Sequence, residues 1–123
     1  MSMPVRWSLP DDHSAARLAR RHVGNELAAW PQVEDIELVA SELTTNAVEH
    51  GRAPIELDLE LVEGRLRVSV SNRGDDREPR LIDAADDSAD GRGLTITRAL
   101  ADDWGWAREE DRLRVWADFT PSN

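Results

Sequence analysis

The sequence has no cysteine, no lysine and no tyrosine, and only one phenylalanine. Without cysteine there is no disulfide framework, no thiol nucleophile and no Cys-ligated zinc or iron–sulfur cluster, which fits a reducing cytoplasm. Without lysine there is no Schiff base and no Walker-type phosphate loop, whose Gly-Lys pair reaches the phosphates. All 15 basic residues are therefore arginines. Long hydrophobic runs are missing too: none approaches the ~20 residues that cross a bilayer, and residues 1–10 hold no apolar signal core. Positive charge is scarce, with 25 acidic residues giving a net charge of -10 over 123 residues. That balance argues against direct nucleic-acid or membrane contact, because phosphate surfaces are met with clustered cations. What is present, 40% apolar and 33% charged residues, suits one globular domain over residues 1–123, expected in the cytoplasm.

Hydrophobic spacing divides the chain. Val5 to Leu9 is a short extended segment closed by Pro10, and Asp11-Asp12 supplies a cap and negative charge for a helix start. Ala16, Ala19, Val23, Leu27 and Trp30 recur at helical spacing, predicting a helix that ends near Pro31. A second helix is predicted from about Val33 to His50, with Ile36, Ala40, Leu43 and Ala47 as its core stripe and Gly51 as its stop. After Pro54 the period becomes two: Ile55, Leu57, Leu59 and Leu61, a Glu63-Gly64 turn, then Leu66, Val68 and Val70. Residues 75–90 lose periodicity and carry seven acids against Arg77 and Arg80, a net of -5 and half the excess charge of the chain. A loop of that length inside a small domain is either functional or disordered. Gly91-Arg92-Gly93 opens a short helix to about Leu100, and Trp104 to Ala107 with Leu113 to Phe119 forms a closing hairpin. The order predicts an α+β two-layer sandwich, a mostly antiparallel mixed sheet with helices on one face.

Three segments offer chemistry. In the second helix Glu42, Asn46 and His50 lie four apart, one row along one face beside the core stripe. An amide oxygen there suits Mg²⁺ and a carboxylate suits a general base, although the same spacing also serves an ordinary solvated face. Gly91-Arg92-Gly93-Leu94 would present free N–H groups and close backbone approach to a phosphate, or would be a plain loop-to-helix turn. Asn72, with Gly74 as exit turn, could read a base edge from a strand end, or simply form the turn. The five tryptophans read as core or half-buried packing, since no basic residues interleave with them.

In this order the three segments resemble the N, G1 and G2 boxes of the Bergerat-fold, histidine kinase-like ATPases. The likeness is greatest to the single-domain bacterial regulators, the anti-sigma factor serine/threonine kinases. Glu42-x-x-x-Asn46-Ala47-x-x-His50-Gly51 matches the N box in full, and Gly91-x-Gly93-Leu94 followed by Leu100-Ala101-Asp102-x-Trp104-Gly105 matches the G2 region. The resemblance implies ATP and Mg²⁺, with Asn46 as metal ligand and Glu42 as the catalytic base for the acceptor hydroxyl. It implies His50, Asn72, Gly74, Gly91, Arg92, Gly93 and Leu94 around the nucleotide, and a lid over residues 73–93. The implied partners are an anti-anti-sigma protein of the STAS type and a sigma factor, with a homodimer as the implied assembly. The chain departs from the pattern at Asn72, where the family has an adenine-reading Asp, and at Asp76, where a second glycine is usual. It departs again at Ala89-Asp90 and at Asp111-Arg112-Leu113-Arg114, so a binding regulator of the same fold without kinase activity is the alternative. On sequence grounds, Asn72→Asp should tighten adenine binding by restoring a charged acceptor.

Overall fold

The computed structural model describes residues 4–74 and 92–121, with Arg92, Gly93 and Leu94 described by backbone only. The elements are β1 (Val5–Leu9), α1 (Ser14–Glu26), α2 (Val33–His50), β2 (Arg52–Val62), β3 (Arg65–Arg73), α3 (Arg92–Leu100), β4 (Asp103–Glu109) and β5 (Arg112–Phe119). The sheet runs β1-β2-β3-β5-β4. Each of the four pairings is antiparallel, so the described sheet carries no parallel pair. The lid expected over residues 73–93 lies largely outside the described residues.

Period-two alternation decides which face is dry. Leu57, Leu59, Val68, Val70, Val115 and Ala117 are buried on one face and meet Ala19, Val23, Ile36, Val39, Ala40 and Leu43 of α1 and α2 in one core. The β2–β3 turn places both Glu63 and Gly64 at positive φ, the conformation of the tight hairpin turns whose twist suits paired strands. The first helix is shorter than its spacing predicts. It ends at Glu26, and Leu27 accepts from the Trp30 N–H in a following turn. Leu27 is nonetheless buried and Trp30 packs on the core, so apolar spacing continued where the helix did not. At its start the N-cap is His13, not one of the Asp pair, and it makes no side-chain cap bond, while Asp12 Oδ1 one residue earlier accepts from the Ser14 N–H at 2.8 Å.

The opposite face of the sheet is held by arginine–carboxylate pairs. Arg6 reaches Asp58 through two bonds of 2.8 and 3.2 Å, and Arg114 reaches the same carboxylate at 2.7 Å. Arg67 grips Asp118 at 2.8 and 3.0 Å and lies 4.2 Å over the Trp116 ring. Trp116 lies flat because its neighbour across the ladder is Gly105, where a Cβ would come within 2.5 Å of the ring. Burial alone pushes the Asp58 carboxyl up, but hydrogen bonds and charge from Arg6 and Arg114 outweigh it and hold the group below the usual carboxylate range. A folded pKa below the unfolded one gives stability that is complete above the unfolded pKa and is lost as pH falls through the folded value. Asp58→Asn is therefore expected to cost about 1–3 kcal/mol at pH 7 in urea unfolding. The gap from wild type should close as the pH is taken below the carboxylate range.

Candidate functional site

α2 positions the principal residues. Glu34 and Asp35 place negative charge in its first turn, where the helix dipole favours it, and Ile36, Val39, Ala40, Leu43 and Ala47 seat it on the sheet. With that stripe fixed, Glu42 and Asn46 fall on its flank one turn apart. Asn46 is 5% exposed, and its Nδ2 has no hydrogen-bond partner among the described residues. Glu42 is half-buried and its Oε2 is likewise unpartnered. Burial pushes the Glu42 carboxyl up to about 7. His50, the third member of the row, is exposed in the last turn.

α3 packs against α2. Its helix begins at Arg92, so Arg92, Gly93 and Leu94 form its first turn as the sequence predicts, while Gly91 lies outside the described residues. Sequence reasoning missed two hydroxyls here. Thr44 Oγ1 on α2 and Thr97 Oγ1 on α3 are fully buried without partners among the described residues. Both sit within helical runs of mixed polarity, and spacing alone gave no signal that they face inward.

The third segment closes on the end of α2. Asn72, on the core side of β3 opposite Leu113, is 4% exposed, and its Nδ2 donates to the Arg73 carbonyl at 2.9 Å. A Cβ on Gly51 would lie 2.0 Å from that Nδ2 and 2.3 Å from Asn72 Cγ. The glycine after His50 is thus required by space, since its φ of -122° is open to any residue. Gly51 also donates its N–H to the Ala47 carbonyl, ending the helix. Gly74 follows Arg73, and its N–H donates to the Asp111 carbonyl at 2.9 Å, tying the exit of β3 to the β4–β5 turn. The structure therefore brings Glu42, Asn46, Asn72 and Gly74 to α2 and the adjoining end of β3, with the start of α3 on a helix packed against α2.

The histidine kinase-like ATPase domain family matches residues 7–119, nearly the whole chain. The chain belongs to that family. ATP binding goes with membership, and the matched span takes in the α2 row, the Asn72 strand end and the α3 start. Among solved structures, the RsbU and RsbW domains of Rv1364c from Mycobacterium tuberculosis superpose with a TM-score of 0.74 at 24% identity. The match covers 99% of this chain and 33% of that one, so the chain spans about a third of the neighbour's length. At that identity the likeness is one of fold. No curated protein matches the chain. Among the described residues no helix is long and apolar enough to cross a membrane.

Proposed function

We propose that this ATPase domain is an anti-sigma-type serine/threonine kinase, which moves the γ-phosphoryl group of ATP to a hydroxyl on a small partner protein. The observation that carries the reading is Glu42, a half-buried carboxyl with one oxygen unpartnered among the described residues and a pKa raised to about 7, one helical turn from Asn46. A domain that only held nucleotide would need no group able to take a proton, whereas a base is most effective with a pKa near the working pH.

The donor set fits Mg²⁺. Asn46 is a buried neutral amide whose oxygen would suit a hard cation that takes few protein ligands and keeps phosphate oxygens and water. Bound Mg²⁺ would neutralise charge on the ATP phosphates. The chain's own residues then position the reaction. Asn72 fixes the base end, and the first turn of α3 offers N–H groups and the positive end of its dipole to the phosphates. Glu42 accepts the proton of the acceptor hydroxyl as its oxygen bonds to the γ-phosphorus, with ADP departing. The fold resembles an RsbW-containing structure, and this supports an anti-anti-sigma protein of the STAS type as acceptor, with a sigma factor as a second ligand and a homodimer as the assembly.

The test uses radiolabelled ATP, Mg²⁺ and STAS proteins from the same genome. Transfer of label to a serine or threonine of one of them is expected. ATP binding with no transfer to any of them overturns the kinase reading in favour of a regulator that binds without chemistry.

A further inference from the structure

The row that carries Glu42 and Asn46 does not begin with them. At the same spacing it runs back through Leu38 to Glu34. Positions four apart advance only about 40° around a helix, so the row winds slowly from one side of α2 to another. Exposure follows the winding: Glu34 is exposed, Leu38 is 45% exposed, Glu42 is half-buried and Asn46 is 5% exposed. One end of the row faces solvent, the other turns into the flank assigned to the nucleotide, and Glu42 stands between them.

The elements around α2 leave the solvent end open. The sheet takes the Ile36, Ala40, Leu43 and Ala47 stripe, the Glu37 carboxylate lies against Gly24 of α1, and α3 packs on α2 as well. Large apolar side chains stand exposed at Leu38, Leu61 and Trp106 among the described residues, and of these Leu38 is the one on a helix. Ser41 and Thr45 border it with hydroxyls turned back on the helix. Ser41 Oγ donates to the Leu38 carbonyl at 3.0 Å and Thr45 Oγ1 to the Ser41 carbonyl at 2.9 Å, so neither has a proton left to offer a partner. The charged residues that flank Leu38 on this side of α2, Glu34 and Glu49, are both acidic and exposed.

We infer that the Leu38 side of α2 is the docking surface for the acceptor protein, with Leu38 as its apolar anchor and Glu34 and Glu49 as its acidic rim. The nucleotide approaches Glu42 from the Asn46 end of the row, which leaves the Leu38 end for the acceptor hydroxyl. The partner that fits is a small protein whose acceptor serine or threonine stands beside an apolar side chain and is flanked by Lys or Arg. The inference rests on the kinase reading above and adds where the acceptor binds and what selects it.

The test is steady-state transfer at saturating ATP to the STAS protein that the labelling experiment identifies, with ATP affinity measured in parallel by isothermal titration. Leu38→Ala should raise KM for the acceptor about tenfold, the scale on which an interface anchor counts, with kcat and ATP affinity near wild type. Leu38→Asp should raise KM further, and Leu38→Met should restore it. Leu38 lies outside the buried stripe, so these variants should fold. Leu61→Asp, at an exposed leucine on β2, should leave KM unchanged. Added salt should raise the wild-type KM by screening the rim. An unchanged KM in Leu38→Asp, an equal rise in Leu61→Asp, or weakened ATP binding in Leu38→Ala overturns the docking surface and leaves the kinase reading standing. A KM that falls as salt is added overturns the acidic rim. Transfer by wild type to no STAS protein overturns the kinase reading and the surface with it.

Discussion

Glu42→Gln is expected to lower phosphoryl transfer by about 10²–10⁴-fold, the range that a positioned general base supplies, while making the free protein more stable. The two effects share one cause. The Glu42 carboxyl titrates near 7 in the folded chain against an ordinary value of 4.5, so its ionised form is disfavoured by folding. A raised carboxylate pKa works in the opposite sense to that of Asp58. The Glu42 contribution to stability is most favourable below about 4.5, falls as pH rises toward 7, and stays reduced above it. Each pKa unit is worth about 1.4 kcal/mol, and partial exposure brings the penalty at pH 8 to about 1–3 kcal/mol. Gln keeps the shape without the charge. Urea unfolding should therefore show Glu42→Gln more stable than wild type at pH 8 and equal to it at pH 4. A rate of transfer unchanged by the substitution would exclude Glu42 as the base, whatever the stability curves show.

Asn46→Ala should separate binding from folding in a similar way. Removing the one amide oxygen suited to the cation should weaken Mg²⁺-dependent ATP binding by about tenfold to a hundredfold, the scale of a lost charge-assisted contact. The same substitution deletes a buried Nδ2 that has no partner among the described residues. The thermal midpoint of the nucleotide-free protein should therefore fall by much less than truncation of a paired, buried side chain would cause. Calorimetry with and without Mg²⁺ reads the first effect and a thermal melt reads the second. If Asn46→Ala binds ATP·Mg²⁺ as wild type does, the cation is held elsewhere.

These residues were legible in the sequence because a helix converts spacing directly into geometry. Once Ile36, Ala40, Leu43 and Ala47 name the buried stripe, the flank occupied by Glu42 and Asn46 follows from 3.6 residues per turn. The strands were legible for the same reason at period two. The Gly51–Asn72 contact was not, because it joins the end of α2 to the end of β3. It depends on how the helix sits across the sheet, which no local period records. The partner of Asn72 Nδ2 is a backbone carbonyl, which the identity of residue 73 does not reveal. The early end of α1 was hidden by its own packing: Leu27 and Trp30 serve the core from a turn at the spacing a continued helix would use. Asp76, Ala89-Asp90 and Gly91, which bear on phosphate binding in the sequence reading, lie outside the described residues.

β1 has five residues and β2 eleven, paired only from Ile55 to Leu59. β1 is the cover over the hydrogen-bonding edge of a long, Leu-rich strand, and its outer-face fastening is the grip of Arg6 on Asp58. Arg6 is well exposed and Asp58 is not, so solvent reaches the fastening from one side. Were the strand to lift away, the backbone groups of Ile55 to Leu59 would be open to a strand from another molecule, the usual start of edge-to-edge aggregation. The charged pair thus guards colloidal behaviour as well as folding energy. A chain of this acidity taken into acid would lose its self-repulsion as its ordinary carboxylates titrate, while Asp58, held below their range, still fastens the edge.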